Sequence, residues 1–311
     1  MDTSLRGRDL LSLADLSPAE LTMILDVAEA QKRAWTSGVR STPLAGKSVA
    51  LIFQKPSMRT RVSFEVACAR LGAHPVVMSG PDGAFSRGET VYDTTKVLER
   101  FCDAIVIRTF AQSMVEEMAE HASVPVINAL TDEHHPCQGL ADLLTIRERL
   151  GRLEGVKIAY VGDGNNMANT YLLGGALVGM RVSVATPLGY HAPEDVVVQA
   201  QRIAATTGAT IEVGHEPDRA VEGADIVITD TWASMGQEEE HAERQAAFAP
   251  FRVDEALMAK AASNAGFMHC LPAHRGEEVV DGVIDAPCSL VFDEAENRLH
   301  AQKALLSLVL G

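Results

Sequence analysis

Short runs of aliphatic and β-branched residues alternate, along nearly the whole chain, with stretches whose apolar positions recur every three or four residues. The runs at 49–53, 74–78, 104–107, 124–127, 157–161, 181–185, 211–213 and 225–229 predict strands. The stretches between them predict helices, and Gly72, Gly179 and Gly208 stand where helices should stop. This is the rhythm of parallel βαβ units, so the expected class is α/β, with two domains that each carry a parallel sheet flanked by helices. A helix predicted over 136–150, with Pro136 suited to its first turn, separates two such series. The junction therefore falls near Gly151, dividing 1–150 from 151–294, and interdomain helices join the halves. The last apolar-periodic stretch, Leu299 to Leu310 within a C-terminal helix at 295–311, holds no strand and could pack onto either half.

Composition narrows the partners. A chain of 311 residues, 47% of them apolar, fits two ordered domains. Its net charge of −15 argues against nucleic acid, whose binding rests on clustered Lys and Arg. No apolar run approaches the roughly 20 residues of a membrane helix, and the polar start at Met1 to Asp9 has no signal-peptide core, so a soluble cytoplasmic protein is expected. The five cysteines are scattered without a Cys-x-x-Cys pair, which speaks against a disulfide framework and a structural zinc site.

In an acidic chain an anionic ligand needs a local basic pocket, and the segment Ser57-Met58-Arg59-Thr60-Arg61 supplies one. It joins the run at 49–53 to an amphipathic stretch, so it opens a helix. Backbone N–H groups and the positive helix end there favour an anion, and two hydroxyls and two guanidiniums are added to them. Ligands of parallel sheets bind beyond the carboxyl ends of the strands. The polar residues expected at such ends are Ser57 to Arg61, Arg108-Thr109, His134-His135, Asp163 to Asn166, Asp230 to Met235 and His269-Cys270, and their origin in both halves points to a cleft between domains. Arg108 is a second cation for the anion held by the first loop, and His135 a hydrogen-bond donor to a carbonyl oxygen that gains charge. Asp230 is suited to an ammonium group.

Gly162-Asp163-Gly164-Asn165-Asn166-Met167 invites a dinucleotide reading, but Met167 stands where the last glycine of the fingerprint belongs and no ribose-binding acid follows the strand at 181–185. A nicotinamide oxidoreductase rests on that fragment alone.

Seven strings in order carry a broader likeness: Ser-Met-Arg-Thr-Arg at 57–61, Val-Ile-Arg-Thr-Phe at 106–110, His-Pro-Cys-Gln at 135–138, Gly-Asp-Gly-Asn-Asn-Met at 162–167, Thr-Asp-Thr-Trp-Ala-Ser-Met-Gly at 229–236, His-Cys-Leu-Pro at 269–272 and Glu-Ala-Glu-Asn-Arg at 294–298. With them the chain resembles, from about Leu10 to Leu310, the anabolic ornithine carbamoyltransferases of the aspartate/ornithine carbamoyltransferase family. The resemblance implies a carbamoyl-phosphate domain with the C-terminal helix returning to it, an ornithine domain, and a homotrimer or a multiple of trimers. It implies carbamoyl transfer from carbamoyl phosphate to the side-chain amine of L-ornithine, giving citrulline and phosphate for arginine biosynthesis, with no metal or other cofactor. By position, Ser57, Met58, Arg59, Thr60 and Arg108 would hold the phosphate. Thr60, Arg108 and His135 would meet the carbamoyl oxygen, and Gln138 with the backbone of Cys270 and Leu271 the carbamoyl nitrogen. Arg298 would be a further residue of that pocket. Asn166 and the Met235 backbone would meet the ornithine carboxylate, Asp230 and Ser234 its α-amino group, and Cys270 would lie near the side-chain amine. Arg59, Arg108 and His135 would stabilise developing charge, while Asp230 and Cys270 would position the amine and move its proton. The Ser-Met-Gly loop separates ornithine enzymes from relatives that use aspartate.

Two positions depart from the family pattern. Met58 replaces a frequent Thr, and Ala84 stands where Gln or His is usual, which implies weaker cover over carbamoyl phosphate. The alternatives are a carbamoyltransferase for acetylornithine or putrescine and a non-catalytic carbamoyltransferase-like subunit.

Overall fold

The structure is a computed structural model that describes residues 5–80, 83–85, 88–233 and 240–311. The chain divides into two compact units, Met1–Leu144 with Glu296–Gly311, and Thr145–Ala295. Each unit is an α/β layer structure around an all-parallel sheet.

In the first unit the strands are β1 (Ser48–Phe53), β2 (His74–Ser79), β3 (Ala104–Arg108) and β4 (Val126–Leu130), ordered β2-β1-β3-β4. Strands β1 and β3 are buried almost throughout, as their unbroken apolar runs require. The strand expected at 124–127 is displaced towards the C-terminus, because Pro125 has no N–H to give the ladder and pairing starts at Val126. The Val126 N–H itself goes to the Asp9 carboxylate at 2.7 Å.

The second unit holds β5 (Lys157–Val161), β6 (Arg181–Ala185), β7 (Thr210–Gly214), β8 (Ile226–Thr229) and β9 (Gly266–His269), ordered β7-β6-β5-β8-β9. The four-residue β9 is too short for its alternation to announce it in the sequence. It reads instead as the centre of a fully buried patch, with Phe267 in the core cluster beside Val227 and Val253.

The helices begin and end for identifiable reasons. Helix Met58–Leu71 is capped by Ser57 and stops at Gly72, whose φ of 81° suits a residue without Cβ. Helix Pro136–Leu150 has the predicted bounds. The last helix, Val291–Leu310, starts well before the apolar stretch that predicted it. Its first turns bury Glu294, Asn297 and Arg298, and polar residues facing inward carry no hydrophobic period. Within the first unit Gln31 Nε2 donates to Ser307 Oγ at 2.9 Å, and Lys32 Nζ to Asn297 Oδ1 at 2.8 Å, which fastens this helix to Pro18–Thr36. Among the described residues no helix is long and apolar enough to cross a membrane.

Candidate active site

Both strand orders reverse direction once, between β1 and β3 and between β5 and β8. Neighbouring loops diverge at such a switch point and leave room for a ligand beyond the strand ends. Among the described residues singled out from the sequence, Ser57 to Arg61 follow β1, Arg108 ends β3, Asp163 to Asn166 follow β5 and Asp230 follows β8.

In the first unit the loop after β1 leads into helix Met58–Leu71. The Ser57 hydroxyl accepts the Thr60 N–H at 3.2 Å, an N-cap bond that fixes the entry of the chain into the helix. The two guanidiniums of this segment part company. Arg61 Nε donates to Glu65 Oε1 at 2.8 Å one turn along the exposed helix face, while half-buried Arg59 makes no such pair among the described residues. Met58 is 68% exposed and lies at the helix start. Thr60 is fully buried, and its Oγ1 accepts from the Arg298 guanidinium at 2.6 Å.

Arg108 ends β3 and is buried, and His135, also buried, precedes helix Pro136–Leu150. Burial holds the His135 imidazolium well below the usual range, and the neighbouring Arg298 and Arg108 cations push it the same way. The ring is therefore neutral near pH 7 and carries a single N–H. In the same helix Gln138 Nε2 donates to Asp142 Oδ1 at 2.8 Å, which turns the acceptor end of the amide the other way. Thr60, Arg108, His135 and Arg298 are thus brought together, from positions up to 238 residues apart in the chain. Ala84 packs against the apolar cluster of this unit.

A lysine that sequence reasoning passed over is buried in the same unit. Lys55 is 4% exposed, forms an ion pair with Asp132, and holds its ammonium 4.3 Å from the centre of the Phe110 ring. The signal available was its place two residues after β1, at the carboxyl end of a central strand.

A depressed histidine is also a stability statement. Between the folded pKa of His135 and about 6.5 the unfolded chain binds a proton that the folded chain does not, so stability falls as pH drops through that window, by up to about 1.4 kcal/mol per pH unit. Urea midpoints measured from pH 7 down to pH 5 should decline, and the decline should be shallower in His135→Asn. An equal slope in that variant would remove His135 as the cause.

In the second unit the loop after β5 carries Gly162-Asp163-Gly164-Asn165. A Cβ on Gly164 would sit 2.3 Å from the Ala192 nitrogen, so glycine is required by close packing of two backbones. Asn165 caps helix Asn166–Leu177, its Oδ1 accepting from Met167 N at 2.9 Å and from the Tyr160 hydroxyl at 3.2 Å. Its Nδ2 donates to Asp230 Oδ2 at 3.0 Å. Asp230 follows β8, and its Oδ1 accepts from the Thr231 N–H at 2.8 Å and from the Cys270 thiol at 3.2 Å. Asn166 is buried at the first position of the same helix. Ser234 and Met235 lie outside the described residues.

Cys270 and Leu271 form the loop after β9, and Leu271 has φ of 58°. The turn is held from beneath. Fully buried His269 accepts the Leu271 N–H on Nδ1 at 2.9 Å, so its hydrogen is on Nε2, which donates to Glu278 Oε1 at 3.1 Å. The His269 N–H donates to Glu294 Oε2 at 2.9 Å. His269 stood among the strand-end candidates without a role, whereas Glu278 and Glu294 went unread because nothing local marks a buried carboxylate.

The sequence reading also missed Arg244. It is buried, donates to Asp163 Oδ2 at 2.8 Å and to the Trp232 carbonyl at 2.9 Å, and lies over the Tyr190 ring. Burial pushes the Asp163 carboxyl up to about 6, with Arg244 pulling it back. Arg244→Met leaves that buried acid without its partner and should destabilise the protein by about 3–5 kcal/mol. Its urea unfolding curve should shift strongly, whereas a midpoint unchanged from wild type would make the pair dispensable.

The chain as a whole matches known proteins. Residues 8–148 match the aspartate/ornithine carbamoyltransferase, carbamoyl-P binding domain family, and residues 154–309 match its Asp/Orn binding domain family. The chain is 55% identical to an ornithine carbamoyltransferase of Anoxybacillus flavithermus, over 97% of this chain and 96% of the relative. It superposes on the solved ornithine carbamoyltransferase of Pyrococcus furiosus with a TM-score of 0.97 at 52% identity, covering 99% of this chain and 98% of that one. The solved enzyme of Gloeobacter violaceus gives a TM-score of 0.89 at 48% identity, over 98% and 100% of the two chains. Two family domains in the family's order, covering almost every residue, place the chain in the aspartate/ornithine carbamoyltransferase family.

Proposed function

We propose that the protein is an ornithine carbamoyltransferase, moving the carbamoyl group of carbamoyl phosphate to the side-chain amine of L-ornithine and releasing citrulline and phosphate. The observation that carries this reading is the buried group of Thr60, Arg108, His135 and Arg298, of which Thr60 lies behind β1 and Arg108 ends β3 at the switch point of the first sheet. Two guanidiniums beside a helix N-terminus suit a phosphate, and a neutral imidazole donates one hydrogen bond to a carbonyl without adding charge of its own. The ornithine preference follows the names of the relatives and the Ser-Met-Gly string at 234–236.

In this reading Ser57, Met58 and Arg59 at the helix start, with Thr60 and Arg108, hold the phosphate. Thr60, Arg108 and His135 polarise the carbamoyl oxygen, Gln138 accepts from the carbamoyl N–H, and Arg298 holds Thr60 in place. Asp230 and Asn166 serve the amino acid together with Ser234 and Met235. A carboxylate offers about four acceptor sites, and Asp230 spends three on Asn165, Thr231 and Cys270, which leaves room for an ammonium hydrogen.

An aliphatic ammonium with a pKa of about 10 is no nucleophile. The δ-amine first loses one proton to the Asp230–Cys270 pair. Its lone pair then attacks the carbamoyl carbon, charge builds on the carbamoyl oxygen, and the bond to the bridging phosphate oxygen breaks. Hydrogen bonds from His135 and Arg108 meet the first charge, and Arg59 with Arg108 the second. The second proton of the amine is released as the new amide forms, so each turnover yields citrulline, hydrogen phosphate and one proton.

The acceptor is tested by assaying product formation with ornithine, acetylornithine and putrescine at equal concentration. Ornithine should lead by orders of magnitude, and a faster rate with either of the others would overturn the choice. Complete inactivity with all three would favour a non-catalytic subunit. We further propose a cytoplasmic homotrimer or a multiple of trimers, which light scattering on the purified protein would reveal by its mass.

A further inference from the structure

The turn after the His269 loop carries a group of side chains that the reaction above does not use. His274, Glu277 and Glu278 each present one ligand atom, and these three atoms lie within 4.8 Å of one another. His274 Nδ1 is 3.9 Å from Glu277 Oε2 and 3.9 Å from Glu278 Oε2. The imidazole of His241, at the start of helix His241–Phe248, approaches from another element and places Nε2 3.4 Å from the same Glu277 Oε2.

Charge makes this group unusual. Glu278 is fully buried. Its Oε1 accepts from His269 Nε2 at 3.1 Å and from the His274 N–H at 2.5 Å, but among the described residues no hydrogen bond reaches its buried Oε2. A buried carboxylate oxygen aimed at an imidazole and a second carboxylate calls for positive charge. The nearest guanidinium in the sequence does not supply it. Arg275 is committed to Asp281 at 2.7 Å and to both oxygens of Asp285 at 2.6 and 2.8 Å. Gln245 Nε2 donates to Glu277 Oε1 at 3.2 Å and carries no charge.

We propose that His274, Glu277 and Glu278, with His241 as a fourth ligand, form a binding site for a divalent first-row transition ion of the zinc class. Imidazole nitrogen with carboxylate oxygen and no thiolate suits Zn²⁺ or Co²⁺ and disfavours Mg²⁺ and Ca²⁺, which prefer all-oxygen sites. Bonds of about 2.0–2.2 Å in a tetrahedron put ligand atoms roughly 3.4 Å apart. The His241–Glu277 pair already has that spacing, at 3.4 Å, and the two pairs made by His274 at 3.9 Å close on it by rotation of the His274 side chain, which is 47% exposed; Glu277 and Glu278, within 4.8 Å of each other, and His241 move inward with it. The turn is already shaped, since the Gly276 N–H bonds to the Val279 carbonyl at 2.8 Å and the Glu277 N–H to the His274 carbonyl at 2.9 Å. Glu278 also has the outer-shell partner that ligating carboxylates use, because Oε1 stays on His269 while Oε2 takes the ion.

Chelator-stripped full-length protein titrated with Co²⁺ tests the site by calorimetry and absorption. One ion per chain is expected, with visible cobalt bands and no thiolate-to-metal charge transfer. His274→Ala and, as a second variant at the half-buried carboxylate, Glu277→Gln should each weaken binding about tenfold or more. Cys270→Ser should leave it unchanged, and circular dichroism establishes that each variant is folded. Affinity should fall as pH is lowered, because protons and the ion compete for the same ligand atoms. The proposal is overturned if His274→Ala binds as tightly as wild type, or if no Co²⁺ binds at millimolar concentration. It is equally overturned if a thiolate band appears and Cys270→Ser abolishes binding, which would move the ion to Asp230, His269 and Cys270.

Discussion

Arg59→Ala is expected to lower kcat/KM for carbamoyl phosphate by about 10²–10³-fold, or roughly 3–4 kcal/mol of transition-state stabilisation. Arg59 stands at the second position of helix Met58–Leu71, where first-turn N–H groups and the helix dipole already favour a dianion. Its guanidinium adds a charge-assisted pair that strengthens as the bridging oxygen takes up the electrons of the breaking bond. Because that charge grows along the reaction, kcat should fall as well as KM rise. Arg61→Ala is the matched control. Arg61 is exposed and tied to Glu65, so its loss removes a surface pair worth well under ~1 kcal/mol and should leave turnover near wild type. Steady-state kinetics on the two variants decide the matter, and equal losses in both would dissolve the distinction between a phosphate ligand and a surface pair.

Asp230→Asn should cost about 10²–10⁴-fold in kcat/KM for ornithine, with little change in carbamoyl phosphate affinity. The substitution keeps the shape and can keep one acceptor, but it removes the charge that an ammonium needs and the basic oxygen beside the Cys270 thiol. It also faces the Asn165 amide with a partner that must turn its own carbonyl to accept. Initial rates at varied ornithine, together with equilibrium binding of carbamoyl phosphate, separate the two substrates. Loss of carbamoyl phosphate binding with unchanged ornithine dependence would place Asp230 in the wrong half of the reaction.

Much of the candidate site was legible because strand ends in parallel sheets are predictable places. The runs at 49–53, 104–107 and 225–229 end where Ser57, Arg108 and Asp230 are found close behind. What local pattern could not show was how each side chain is spent. Arg59 and Arg61 are chemically identical in the string, and only the position of Glu65 one turn further along the same face turns Arg61 away. Ser57 reads as a phosphate ligand or a cap with equal ease, and its hydroxyl is seen to accept the Thr60 N–H.

The buried supports were less legible still. Arg244 lies in a polar helix segment, yet it is tied to Asp163, 81 residues earlier, and its burial has no signature in hydrophobic periodicity. Glu278 follows another glutamate in a turn and looks like a solvated pair. Its partners His269 and His274 become visible only when β9 and that turn are folded on one another.

The sequence by itself determined the alternation of strands and helices, the parallel sheets that follow from it, and the family, because these rest on short-range periodicity and on strings that survive as strings. Tertiary structure alone decided the electrostatics: the neutral His135 between two cations, the raised Asp163 beside Arg244, and the unsatisfied oxygen of Glu278. Desolvation and Coulomb interaction depend on distance through space, and neighbours 25, 81 or 238 residues apart acquire that distance only in the folded chain.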